Sequence, residues 1–442
     1  MSLFALCLGF FMVIIDVMIV TVALPNIATS LSSSISGLQW VVDGYTLMFT
    51  CLLLSAGTIG DRLGAKTAFI CGLLLFVLTS LGCGLAPSIL ILTIFRFLQG
   101  LAAAFIVPTS VALINASYEN KDERTKAIST WAVIGSIAGA SGPILGAFIT
   151  AWFGWRGVFF VNIPIGIVAL ILTIKYVVSP DRKPGVSFDV GGQIAAIIGL
   201  ATLAFGLIEA GKLGWLSPLV LAAFILFIIS FIAFIIIERH FIYPMLPLQF
   251  FKSHPFSATM TIGMIMNIGF YGILFTLPLY FQQVREYSVM MTGLALIPLV
   301  ALGPLASYTS GKLTILVGAK TPIIIGLTLG ALGYLSLLMM GYHTPTYTWL
   351  ILPFFIIGFS TTLIMPAATM TILHSVPTDR TGIASGAFNA SRQLGSLIGV
   401  AVFGTIITAS TSFVSGMHWS LILASVAYAS GAALIFITKK TG

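Results

Sequence analysis

Four ionisable residues, Asp16, Asp43, Arg96 and Arg392, sit inside long apolar runs of the sequence. On insertion scales an aspartate near a bilayer centre costs about 2.5 to 3.5 kcal/mol, so a chain seldom carries one there without a use. Asp16 lies in LFALCLGFFMVIIDVMIVTVALP, Leu3 to Pro25, a stretch about as long as a bilayer-crossing helix. Two readings fit it: a carboxylate that takes up and releases a proton during transport, or a buried structural partner of a distant arginine. Asp43 follows in LQWVVDGYTLMF, about one turn inside a membrane boundary marked by Trp40 and Tyr45. It is a second candidate proton or cation site, or an acid that reaches the headgroups.

In ILTIFRFLQGLAAAFIVPTS, helical spacing puts Arg96, Gln99, Gly100 and Ala103 on one face. A permanently charged guanidinium there must face protein or water, and pairing with Asp16 or Asp43 is the natural expectation. Such a pair is either a switch that opens when the acid is protonated or a salt bridge that only fixes packing. Asn389, Arg392, Gln393 and Ser396 form one stripe of a later helix, which lines a cavity or makes a polar seam. Asn267, Phe270 and Tyr271 offer hydrogen-bonding and aromatic surface. With Trp40, Tyr45, Gln99, Asn389 and Arg392 they are the candidate substrate contacts.

Other chemistries find no support. Cys7, Cys51, Cys71 and Cys83 fall in apolar segments without C-x-x-C spacing, as small core residues do. The five histidines are scattered, with no paired spacing for zinc and no neighbouring acid for a triad. Neither a metal nor a cofactor is expected, and no cleavable signal peptide is evident in the first apolar run.

The elements that position these residues are membrane helices. Hydrophobic residues make up 58% of the 442 and charged ones 7%, spread over the whole length, more apolar surface than a soluble domain could hide. Fourteen spans are expected: 3–24, 38–58, 67–85, 89–113, 126–149, 157–177, 189–208, 217–237, 257–282, 290–311, 321–341, 346–373, 384–409 and 417–437. The net charge of +8 reflects topology rather than a nucleic-acid partner. With a cytoplasmic amino terminus, fifteen of the Lys and Arg fall on that side, and only Arg156, Lys212 and Arg285 face outward. Both termini are then cytoplasmic. The almost uniformly apolar segment Ser217 to Ile237 is expected to face lipid.

Several motifs recur in order. GTIGDRLGAK supplies a short glycine-rich turn with Gly57, Asp61, Arg62 and Gly64, in which Asp61 can cap the next helix or meet another helix's positive end. AVIGSIAGASGPILGAFIT carries Gly135, Gly139, Gly142, Pro143 and Gly146, small residues that admit a close neighbour and a proline that bends the helix. WFGWRGVFFVNIPIG follows, with Trp152 and Trp155 expected at the outer interface. Together these resemble the major facilitator superfamily and, within it, the fourteen-helix drug:proton antiporters. GTIGDRLGAK is similar to the signature between helices two and three, RFLQGLAAA to that of helix four, and GSIAGASGPILG to the antiporter signature of helix five. FFMVIIDVMIVTVALPNI and WRGVFFVNIPIG resemble the fourteen-helix branch, and QWVVDGYTL the relatives conferring methylenomycin resistance. Ala147 and Ala65 depart from the pattern, and spans nine to fourteen lack the acid that some relatives use for divalent cations.

The resemblance implies an all-α polytopic membrane protein of the major facilitator fold. Two pseudo-symmetric six-helix bundles, residues 1–178 and 256–442, would rock about a cavity, with two additional linking helices in residues 179–255. The sequence carries an independent echo: Pro108 and Pro366 each precede an Arg-Thr pair, at Arg124 and Arg380, and each copy reaches a glycine fifteen residues on. GAK at Gly64 to Lys66 recurs at Gly318 to Lys320. The expected activity is efflux of an amphipathic, neutral or cationic drug or antibiotic by a monomer of the plasma membrane in exchange for protons. Alternatives are an importer or exporter of a specific metabolite or lipid, and a polytopic membrane enzyme or receptor.

Overall fold

The computed structural model describes residues 1–179, 189–241, 244–342, 346–377 and 380–437. Local sequence signals set the helix ends. α1 (Ser2–Ser30) is followed by α2 (Ile35–Leu63), which Ser34 caps by accepting from Gly37 N at 3.3 Å. Gly64, at φ +95°, ends α2 and opens α3 (Ala65–Leu85), a backbone setting that a side chain would strain. Ser88 caps α4 (Ile89–Ser117), and Asn120 caps α5 (Lys121–Phe160), whose first turn carries Asp122 and Glu123 at the positive end of the helix.

α5 breaks at Gly154, φ +74°, before α6 (Asn162–Tyr176). That break separates the two tryptophans expected at one interface: Trp152 is 72% exposed, whereas Trp155 turns inward and is 5% exposed under the Arg156 guanidinium. Next come α7 (Val190–Leu213) and α8 (Pro218–His240). α8 leaves Leu219, Ile225, Ile229 and Ile236 exposed, as a lipid-facing helix would.

The remaining helices are α9 (His254–Leu279), α10 (Val289–Ala295), α11 (Ile297–Ala301), α12 (Gly303–Val317), α13 (Lys320–Ser336), α14 (Thr348–His374), α15 (Thr381–Ala409) and α16 (Phe413–Ile437). α10 to α12 are one rod interrupted at Leu296 and Leu302, each two residues ahead of a proline. Among the described residues the fold is all helical, and twelve stretches are long and apolar enough to cross a membrane. One of them, Lys121–Tyr176, is 56 residues long and contains the Gly154 break.

Two compact units emerge. The first comprises Met1–Ala201, Ile229–Met245 and Ser288–Gly293, with α1 along α5 and α6, and α2 and α3 along α4. The second comprises Thr202–Ile228, Leu246–Tyr287 and Leu294–Gly442, with α9 along α15 and α16, and α11, α12 and α13 along α14.

The units repeat the same close approaches. Gly100 leaves no room for a Cβ against the Tyr45 carbonyl, nor does Gly358 against that of Leu299. Gly146 abuts the Ile19 backbone, and Gly399 that of Ile268. The two GAK turns also match: Gly318 has φ +85°, Lys66 Nζ donates to Ile174 O, and Lys320 Nζ donates to Phe436 O, both at 3.1 Å.

Candidate proton-coupling site

α1, α3, α4 and α6 converge on Asp16, which is completely buried. Its Oδ2 accepts from Arg96 NH1 at 2.5 Å, while its Oδ1 accepts from Gln99 Nε2 at 3.1 Å and from Asn162 Nδ2 at 2.7 Å. Three donors from two other helices thus fill one carboxylate. Arg96 spends its remaining capacity nearby, donating NH1 to Gln99 Oε1 at 2.7 Å and Nε to the Val41 carbonyl at 3.0 Å. Gln99 Nε2 also donates to Ser80 Oγ at 2.8 Å. The Tyr45 ring lies 4.4 Å from the guanidinium carbon, a cation–π distance. A buried ion pair persists only with good geometry and satisfied remaining lone pairs, and this cluster supplies both.

Asp43 presents the opposite case. It is equally buried, and neither carboxylate oxygen has a hydrogen-bond partner among the described residues. Helix geometry explains why Arg96 pairs with Asp16 and not with Asp43. Val41 and Tyr45, one turn apart on α2, both meet Arg96, whereas Asp43 stands about 200° round the helix from each of them. On its own face Asp43 belongs to a stripe of Ser36, Gln39, Asp43, Thr46 and Thr50, every one of them buried. Orphaned buried oxygens are costly unless something fills them, and a proton, a water or a cation can.

Comparisons place this architecture. The sequence model of the Major Facilitator Superfamily matches residues 6–400. The chain is 33% identical over 437 residues to the methylenomycin A resistance protein of Bacillus subtilis, covering 98% of this chain and 93% of that one. It is 34% identical over 409 residues to the multidrug resistance protein Stp of Mycobacterium tuberculosis, covering 92% and 76%. In fold it resembles a crystal structure of a POT family transporter in complex with 5-aminolevulinic acid, with TM-score 0.74, 14% identity and coverage of 99% and 96%. The chain belongs to the major facilitator superfamily. It is therefore a multi-pass membrane transporter and not an enzyme.

Within this superfamily chain the other expected site residues have these surroundings. Tyr45 and Gln99, expected as substrate contacts, are engaged in the Asp16–Arg96 cluster. Trp40 packs 6.1 Å from Phe97 on α4. In the second unit, Asn267 donates to Arg392 O at 2.8 Å and to Ser396 Oγ at 3.1 Å, so it seams α9 to α15. Phe270 and Tyr271 stack edge to face at 5.6 Å, both half-buried. Asn389 Oδ1 accepts from Arg392 NH1 at 3.2 Å.

Of the motif residues, Gly135 faces Phe10, Gly142 faces Met18 and Gly146 faces Ile19, while nothing crowds Gly139. Pro143 is buried in α5, Arg62 is exposed and Gly64 makes its turn. The side chains of Gly57 and Asp61 lie outside the described residues. Sequence reasoning missed Asn162 and Ser80 in the cluster. Asn162 was legible as a lone amide inside the apolar run VFFVNIPIG, and the α2 stripe as polar residues at three- and four-residue spacing.

Proposed function

We propose that the chain exports amphipathic drugs or antibiotics by alternating access in exchange for protons. One contrast within the first unit supports the proton half: the Asp16 carboxylate is filled by three donors and the Asp43 carboxylate by none. Protonating Asp16 means giving up the Arg96 pair and leaving a bare guanidinium in protein, which costs about 3–5 kcal/mol. Protonating Asp43 displaces nothing. Asp43 is therefore the first proton acceptor in this state, and the Asp16–Arg96 pair is the latch that holds α1, α2 and α4 together. An inside-negative potential adds about 2.3 kcal/mol per charge per 100 mV to inward proton movement.

The cargo half is supported by relatives, matched over 93% and 76% of their own length, that are named for resistance to methylenomycin A and to multiple drugs. Cells producing the protein should survive methylenomycin A better than cells with an empty vector, and lose that advantage when an ionophore collapses the proton gradient. Equal survival would dispose of this cargo, and resistance untouched by the ionophore would dispose of proton coupling.

The reading includes fourteen spans in a monomer of the plasma membrane with both termini cytoplasmic. Counting Lys121–Tyr176 as two and adding Ile35–Leu63 brings the twelve candidates to fourteen. Residues 1–178 and 256–442 are then the two six-helix bundles, and 179–255 carry the linking pair. Reporter fusions after α6 and α8 should both report the cytoplasmic side; one reporting outside would break the count.

A further inference from the structure

Arg392 lies eleven residues into α15, about 16 Å along a helix from its start and deep in an apolar span. The sequence after Glu238 holds two acids. Glu286 lies between α9 and α10, and Asp379 lies outside the described residues. The helices of the second unit from α9 onward thus carry no internal counter-charge, and Arg392 has no ion pair among the described residues.

Its hydrogen bonding is equally thin. NH1 donates to the neutral oxygen of Asn389, while Nε is buried with no partner among the described residues. The contrast with Arg96 is internal to the chain: there, a carboxylate, an amide oxygen and a main-chain carbonyl are all engaged. The pseudo-symmetry does not account for Arg392 either. Four residues before the matched glycines Gly100 and Gly358 stand Arg96 and the buried Phe354, so the second unit has replaced the paired arginine by a phenylalanine and put its own arginine on a different helix.

The stem of Arg392 is fixed. Its Cγ would lie 3.2 Å from a Cβ at Gly263 on α9, and its main-chain carbonyl is held by Asn267. A guanidinium held at its stem and unfilled at its head is a fork for two oxygens of one anion.

We infer that Arg392, with Asn389 beside it, binds an oxyanion, a carboxylate or a phosphate, carried by the ligand of the second unit. This rests on the export reading for its physiological meaning and departs from the neutral or cationic cargo expected from the sequence. The anion comes either from an acidic cargo or from the headgroup of an anionic lipid. In both cases Arg392 supplies the charge and Asn389 steers NH1.

The test is equilibrium binding to purified full-length protein in phosphatidylcholine nanodiscs, using three isosteric probes: 1-naphthoate, 1-naphthamide and 1-naphthylmethylammonium. The wild type should bind naphthoate best. Arg392→Gln should weaken naphthoate about 10- to 100-fold and leave the amide unchanged, the loss expected for a charge-assisted contact, while Arg392→Lys should restore part of it. A parallel arm measures retention of phosphatidylglycerol on purification. Lipid retention that falls in Arg392→Gln, with naphthoate competing against phosphatidylglycerol, assigns the site to a headgroup.

Wild-type protein that binds acid and amide alike and retains no phosphatidylglycerol overturns the proposal, a result that needs no variant to fold. Binding requires no turnover, so failure to export any compound would defeat the efflux reading alone. Charge-blind binding in protein that still exports would defeat this one alone.

Discussion

Arg96 Nε donates to the carbonyl oxygen of Val41 at 3.0 Å, so the guanidinium that clasps Asp16 on α1 also clasps α2, the helix that carries Asp43. Asp43 thus stands two residues along α2 from the carbonyl that the ion pair's arginine holds. On the proposed proton role of Asp43, this join is the route by which a proton there would be felt at Asp16, to which no hydrogen bond among the described residues connects it.

The ion pair should behave as a unit. Asp16→Asn or Arg96→Gln each leaves a buried charge without its partner and should cost about 3–5 kcal/mol, whereas the double variant should cost clearly less than the sum. Thermal unfolding of the four proteins in detergent reads this directly. Strictly additive shifts would mean that the two side chains do not depend on each other.

Asp43→Asn should do the reverse, sparing stability and removing coupling. No partner is lost, so the melting temperature should move by no more than about 1 kcal/mol implies. Substrate movement driven by an imposed proton gradient in proteoliposomes should stop, while exchange without a gradient continues. Gradient-driven movement that survives Asp43→Asn and vanishes in Asp16→Asn would hand the proton to Asp16.

Much of this was legible in the sequence because membrane insertion leaves few options. Apolar runs must be helices, and a charge inside one must find a partner, so Asp16 and Arg96 announce themselves although eighty residues separate them. Which acid Arg96 takes was not legible, because the choice turns on the rotation of α2 and not on spacing along the chain. The burial of Tyr45 and Gln99 in the cluster escaped for the same reason: a polar stripe looks identical whether it faces a passage or another helix. The repeat was visible but one turn out of register. The echo aligns Gly139 with Gly395, yet Gly395 meets Met264 as Gly142 meets Met18. Only the packing partner fixes the match.

That register makes a prediction about the glycine-rich helix. Gly139→Ala should express and transport normally, since a Cβ there meets nothing. Gly146→Ala should not, because the new methyl would fall 2.8 Å from the Ile19 Cα and push α5 off α1. Overpacking of this kind costs about 1–3 kcal/mol when the neighbour is side chain and more when it is backbone. Yields of monodisperse protein for the two variants, compared with Gly399→Ala at the matching contact in the second unit, check it. Equal tolerance at 139 and 146 would refute the close approach.

Lys66 and Lys320 should share a role at the two GAK turns. Ile174 and Phe436 fall in the last turn of α6 and α16, where helix carbonyls have no intrahelical donor and the negative end of the dipole accumulates. Each lysine reaches across to one such oxygen, and the positive φ of Gly64 or Gly318 sets the turn that starts its helix close enough. Lys66→Met and Lys320→Met should each cost about 0.3–1 kcal/mol. The penalty should appear as faster amide hydrogen exchange confined to the end of α6 in one variant and of α16 in the other. With no shared partner the two costs should add in the double variant. Faster exchange spread evenly along both helices, or none at either end, would show that the lysines do not hold those carbonyls.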